Sequence, residues 1–410
     1  MNAWLDRSRT QSYFASAGEM SVAAESALTG PTADRAAAAP GLAARRVPEL
    51  DGLRGVAILL VIVCHYVYNS LPRRGAGALR TTLSWTWSGV DLFFVLSGFL
   101  IGGILLAHRE SARYYPTFYL RRACRILPIY VVVVGAVFAY AALAAQGLLP
   151  AAPFRRLLPA WTYLTFTQNL YMAYHDGFGS QLLAPTWSLA VEEQFYLLVP
   201  LIIRLVPPRR LPLVLLAGIL AAPALRLWLG TLEDGTVPVA AYVLMPARAD
   251  ALLLGVLAAW AWRAEPLRRF VHEAGAWLML PPALCAVAVA VLTRSGGNML
   301  SPEMAHGGFS WLALGYTFLV LAAASHAPGL RVLRGGPLPA LGRVSYTTYL
   351  LHLPILRIVH FSLRGDFPSV TGGTAQAVTV LALALTLALA ALSWRFFEGP
   401  IVRWGHRSPY

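Results

Sequence analysis

Arg54 and His65 stand eleven residues apart in the run E-L-D-G-L-R-G-V-A-I-L-L-V-I-V-C-H-Y. On an α-helix that separation turns through about 1100°, about 20° past three whole turns, and rises about 16 Å, so both side chains lie along one face. An imidazole titrates near neutral pH and suits a general base, whereas a guanidinium grips an anion. A second arginine pair, Arg122 and Arg125, has the i, i+3 spacing that brings two forked donors onto one phosphate-bearing ligand. Asp91, Glu193 with its neighbour Glu192, and Arg248 with Asp250 also fall within apolar runs. There an ionisable group costs about 2.5–3.5 kcal/mol on insertion scales and marks a functional candidate. Ser345, Tyr349 and His352 share one helix face at i, i+4 and i+7. Each has a plainer role open to it: a snorkelling Arg54, a packed His65, headgroup contact by Arg122 and Arg125, a structural ion-pair layer, and interhelical hydrogen bonds from Tyr349 and His352.

The elements that position these residues follow from composition. Of 410 residues 57% are apolar and 13% charged, and the mean hydropathy is +0.59, too greasy for an ordinary soluble domain. Eleven apolar runs approach the length of about 20 residues that a membrane crossing requires. The fourth, near 157–173, is short and carries Thr162, Thr165, Thr167, Gln168 and Asn169, which lipid would leave unsatisfied. Without it ten spans remain, and the arginines of loops and helix ends separate into nineteen on one side and seven on the other. The positive-inside rule makes the richer side cytoplasmic, with both chain termini on it. The expected architecture is therefore all-α: a polytopic integral membrane helix bundle of about ten transmembrane helices over 47–403. A disordered cytoplasmic tail is expected over 1–46 and a short tail over 404–410.

All 33 basic residues are arginine, which excludes a lysine Schiff base or a P-loop lysine. The net charge of +14 is explained by topology, so nucleic-acid binding is not expected. Three cysteines without a C-x-x-C pattern support neither a disulfide framework nor a zinc site, and no metal is expected.

Several strings in order resemble membrane-bound acyltransferase family 3, which includes bacterial O-acyltransferases of polysaccharides and of macrolide sugars. They are the Arg-x10-His of Arg54 and His65, G-V-D-L-F-F-V-L-S-G-F-L-I at 89–101, and the Arg-x-x-Arg of Arg122 and Arg125 before Pro128. W-S-L-A-V-E-E-Q-F-Y at 187–196, R-A-D at 248–250, S-Y-T-T-Y-L-L-H-L-P at 345–354 and F-F-E-G-P at 396–400 complete the set. The resemblance implies transfer of an acyl group, acetyl by default, from cytoplasmic acyl-CoA to a hydroxyl of a carbohydrate-containing acceptor. Acylation of a macrolide or other glycosylated natural product is the alternative acceptor, and a transporter or flippase the alternative class. No bound cofactor is expected; acyl-CoA is a co-substrate, the bilayer a partner, and the plasma or inner membrane the location. On this view His65 is the base or a covalent acyl carrier, with Glu193 or Asp91 orienting its ring. Arg54, Arg122 and Arg125 hold the donor phosphates, and Arg248, Asp250, Tyr349 and His352 support the centre.

Overall fold

The computed structural model describes residues 47–72, 77–150, 157–231, 237–294 and 299–410, and every regular element among them is helical. The expected tail over 1–46 lies outside the described residues. Helix α1 (Pro48–Ile62) opens with Pro48 at a position where its missing N–H costs nothing, and with Glu49 and Asp51 near the positive end of the helix dipole. It does not continue as an α-helix to residue 71. A π turn over Val63–Val67 and a 3-10 turn over Tyr68–Ser70 follow, and His65 sits in the π turn, a local winding that often marks functional positions.

Then come α2 (Gly89–Ala107) and α3 (Tyr114–Ala145). The basic stretch that carries Arg122 and Arg125 and the apolar run expected near 127–148 form this single helix of 32 residues, with Pro128 inside it. One proline removes one donor, and a bundle tolerates that loss. The fourth apolar run breaks into α4 (Ala160–Leu164) and α5 (Gln168–Tyr174), neither long enough to cross a bilayer. Phe166 at the break has φ 52°. Gln194 donates to its carbonyl at 2.9 Å and pairs with Asn169, while Gln168 donates to the Thr186 carbonyl at 2.8 Å. The polar residues that argued against a lipid-facing helix thus satisfy interrupted backbone inside the protein.

Helices α6 (Trp187–Leu205), α7 (Leu211–Gly230), α8 (Met245–Trp262), α9 (Leu280–Arg294), α10 (Phe309–Ala324), α11 (Pro337–Arg343), α12 (Ser345–Arg364), α13 (Gly373–Ser393) and α14 (Gly399–His406) complete the bundle. Among the described residues, eight helical segments are long and apolar enough to cross a membrane. Two of the ten expected spans, α6 and α12, fall outside that set. Their length suffices, but Glu192, Glu193 and Gln194 in one and His352, Arg357 and His360 in the other reduce their hydropathy. The residues past 403 also differ from a loose tail: α14 runs to His406, and Thr117 donates to the Pro409 carbonyl at 2.7 Å.

Helices α2 and α8 make the central crossing. Gly98 lies against the Leu252 carbonyl and Gly255, and Gly255 in turn against the Val95 carbonyl. Small residues at such a crossing let backbones approach and gain close van der Waals packing where lipid supplies no hydrophobic drive.

Candidate active site

Helices α1, α2, α3, α6 and α12 converge on a pocket of ≈ 110 Å³. Arg54 reaches it from α1, Phe93 and Ser97 from α2, and Arg122 and Arg125 from α3. Helix α6 contributes Ser188, Glu192, Glu193 and Tyr196, and α12 contributes Ser345, Tyr346 and Tyr349. The three donor-binding candidates therefore share one cavity. Arg54 approaches Asp51 at 3.4 Å, while Arg125 lies over the rings of Trp394 at 5.1 Å and Tyr346 at 5.9 Å. No ion pair engages Arg122 or Arg125 among the described residues, leaving two adjacent guanidiniums for a polyanionic ligand.

The carboxylates of the pocket differ in their bonding. Glu192 is fixed by Tyr196 at 3.0 Å and by Ser97 at 3.2 Å, and Ser97 and Tyr196 also meet at 3.1 Å. Glu193 lines the same cavity without a hydrogen bond among the described residues. Ser97 and Tyr196 were not singled out in sequence as partners of Glu192. The i, i+4 spacing of Glu192 and Tyr196 is the signal that was available.

His65 does not line this pocket. Its ring meets His352 edge to face, with centroids 4.8 Å apart, and the His352 ring lies 5.5 Å from Tyr349. Each imidazole uses Nδ1 toward a carbonyl of its own helix, His65 to Val61 at 3.0 Å and His352 to Tyr349 at 2.6 Å. A carbonyl only accepts, so each Nδ1 carries the proton and each Nε2 presents a lone pair. Tyr349 shares a 2.7 Å hydrogen bond with Ser188 and lies 3.0 Å from the Pro185 carbonyl. It stands between the arginine pocket and the paired histidines.

Neither carboxylate expected to orient His65 does so. Glu193 faces the arginine pocket, and Asp91 accepts from Arg248 in a pair whose two side chains are each 1% exposed. The Arg248 guanidinium also lies 3.9 Å from the centroid of Phe309 and 5.1 Å from that of Tyr242. Asp250 accepts from Arg226 at 2.8 Å and from Ser310 at 2.6 Å. Asp91 and Asp250 thus each pair with an arginine from another helix, in keeping with the structural ion-pair layer that the sequence left open. Arg226, four residues from the end of α7, is legible in sequence as a charge within a span but not as the partner of Asp250.

Three relatives are similar over most of this chain. The peptidoglycan O-acetyltransferase OatA of Listeria monocytogenes is 29% identical over 377 residues, 87% of this chain and 56% of its own length. The O-acetyltransferase OatA of Staphylococcus aureus is 28% identical over 395 residues, 89% of this chain and 58% of its own. The putative peptidoglycan O-acetyltransferase YrhL of Bacillus subtilis is 28% identical over 388 residues, 89% and 56% respectively. The chain thus spans just over half the length of the curated relatives it matches. No solved structure matches it. The family defined by the acyltransferase domain of type 3 matches residues 47–395, the whole bundle through α13, and the chain belongs to that family of membrane-embedded acyltransferase domains.

Proposed function

We propose that the chain is a membrane O-acyltransferase that moves an acyl group, acetyl by preference, from acyl-CoA to a hydroxyl of a carbohydrate-containing acceptor. The observation that carries this is the convergence of Arg54, Arg122 and Arg125 on one pocket beside a tautomer-fixed histidine pair. Forked guanidiniums complement phosphate oxygens, which suits the nucleotide end of CoA. The flexible pantetheine arm would bring the thioester past Tyr349. The names of the OatA and YrhL relatives support acetyl as the group and a glycan as the acceptor.

With Nδ1–H held by the Val61 carbonyl, Nε2 of His65 is the basic atom. In direct transfer it takes the proton of the acceptor hydroxyl as the oxygen bonds to the acyl carbonyl carbon. The C–S bond breaks, and the proton passes to the departing CoA thiolate. In the two-step form Nε2 first bonds the acyl carbon as the C–S bond breaks, leaving an acyl-imidazolium and CoA thiolate; the hydroxyl oxygen then bonds the acyl carbon as the C–N bond breaks, and the hydroxyl proton passes to the thiolate. The proposed location is the plasma or inner membrane with both termini cytoplasmic.

Membranes containing the protein, given acetyl-CoA labelled in the acetyl group, glycan fragments and a glycosylated macrolide, should yield a labelled ester on the glycan. His65→Ala should lower that yield by at least about a hundredfold at equal protein in the membrane. Undiminished transfer by that variant removes His65 from the chemistry. Labelling of the macrolide alone changes the acceptor class, and no ester on either acceptor overturns the proposal.

A further inference from the structure

No residue of the F-F-E-G-P string at 396–400 is among those lining the arginine pocket. Its acid, Glu398, ends a π turn over Trp394–Glu398 that joins α13 to α14, and it is 3% exposed. A carboxylate buried to that degree needs hydrogen-bond donors. Two hydroxyls from different elements donate to one and the same oxygen, Oε1: that of Thr347 in α12 and, at 2.9 Å, that of Ser393 at the end of α13. Each of these hydroxyls belongs to the sequence neighbour of a ring that carries Arg125. Tyr346 precedes Thr347 and Trp394 follows Ser393, and the Arg125 guanidinium carbon lies 5.9 Å and 5.1 Å from their respective ring centroids. The Tyr346 hydroxyl also donates to the Ile126 carbonyl at 3.1 Å, which ties that ring to the residue after Arg125 on α3. On the other side a Cβ at Gly399 would run into the Trp394 carbonyl, so glycine after Glu398 lets the turn close onto the tryptophan. Ring faces hold a guanidinium through its charge and occupy none of its five N–H donors. The donors of Arg125 are thereby left for a ligand.

We propose that Glu398 is a positioning residue of the donor grip: by joining Thr347 to Ser393 it holds Tyr346 and Trp394 as a two-ring seat that aims Arg125 into the pocket. Glu398 itself touches no ligand. The inference rests on the reading of the pocket as the site of the CoA phosphates, but the binding it predicts is measured without turnover.

The test measures equilibrium binding of CoA to the full chain in phosphatidylcholine nanodiscs. Glu398→Ala should weaken CoA by about tenfold, the scale of desolvated cation–π contacts. Glu398→Gln should recover most of that affinity, because its amide oxygen can accept both hydroxyls. In an Arg125→Ala background Glu398→Ala should cost nothing further, as for two residues that act through one contact. Ser393→Ala removes one of the two bonds, and should weaken CoA by a smaller factor that also vanishes in the Arg125→Ala background; it carries the test should Glu398→Ala fail to reach the membrane. Losses that add to that of Arg125→Ala, or CoA affinity unchanged in both Glu398→Ala and Ser393→Ala, overturn the seat and leave the donor reading standing. Equal losses in Glu398→Ala and Glu398→Gln overturn it in favour of a direct effect of the charge. No CoA binding by the unaltered chain overturns the donor reading and the seat together. Glu398-dependent CoA binding without ester formation from acetyl-CoA upholds the seat and overturns the acyltransferase proposal instead.

Discussion

At the start of α3 the three arginines of R-R-A-C-R divide their work. Arg121 donates to the carbonyls of Ser408 at 2.8 Å and His406 at 3.3 Å, and its guanidinium lies 4.9 Å from the centroid of Tyr410. Arg122 and Arg125 turn to the pocket. If acetyl-CoA is the donor as proposed, Arg122→Ala or Arg125→Ala should therefore raise its KM by roughly ten- to a hundredfold, the worth of about 1.5–3 kcal/mol in charge-assisted bonds. Arg121→Ala should leave that KM alone and expose residues 407–410 to carboxypeptidase. Steady-state kinetics and limited proteolysis check the split, and a common effect of all three would erase it. The sequence shows the three charges and the i, i+3 pair, but it does not show the docked C-terminal segment that claims Arg121. The buried acids follow the same logic. Removing Asp91 leaves Arg248 charged and uncompensated, so Asp91→Ala should cost about 3–5 kcal/mol of stability, while Asp91→Leu with Arg248→Met should recover most of it. Thermal unfolding in detergent measures both; a fully stable but inactive Asp91→Ala would return Asp91 to the chemistry.

Among the elements, the α2–α8 crossing shows what pattern alone conveys. Gly98 and Gly102, four apart, announce a close-packed face, but the partner, Gly255 and its neighbours 157 residues after Gly98, follows only from the tertiary arrangement. A methyl at Gly98 would meet the Leu252 backbone, whereas at Gly102 it meets Val256, its Cα at 3.0 Å and its side chain at 3.1 and 3.2 Å. Backbone cannot rotate away and a side chain has more freedom. Gly98→Ala should therefore destabilise by more than the ~1–3 kcal/mol typical of overpacking, and Gly102→Ala by less than Gly98→Ala, ranked by melting temperature. Equal shifts would contradict the crossing as described. The interrupted fourth run was legible from its threonines and amides, since polar groups cannot face lipid. That Gln194 of another helix closes the break was not, because sequence spacing is silent on which helices become neighbours. Helices α6 and α12 carry the same lesson into the site: the polar residues that bring pocket and histidines together also blur the apolar signal by which a span is recognised.

For the molecule as a whole, the +14 charge has two uses that its total conceals. Most arginines sit in loops and at helix ends, where an excess on one side fixes orientation. A few turn inward, neutralised at Arg226 and Arg248 and left open at Arg122 and Arg357. The proposed orientation places the 108–113 loop, which leads into the helix carrying Arg122 and Arg125, in the cytoplasm with the proposed donor, and the 365–372 loop, past Arg357, outside. Cysteine labelling separates the two faces, because Cys64, Cys124 and Cys285 are all buried and Ala112 and Thr371 are both exposed. In intact cells an impermeant maleimide should label Thr371→Cys and spare Ala112→Cys, which should react only after permeabilisation. The opposite pattern would invert the bundle and put the arginine pocket on the side without acyl-CoA. The phosphate grip would then have no ligand there, so this one measurement bears on the proposed donor as directly as on topology.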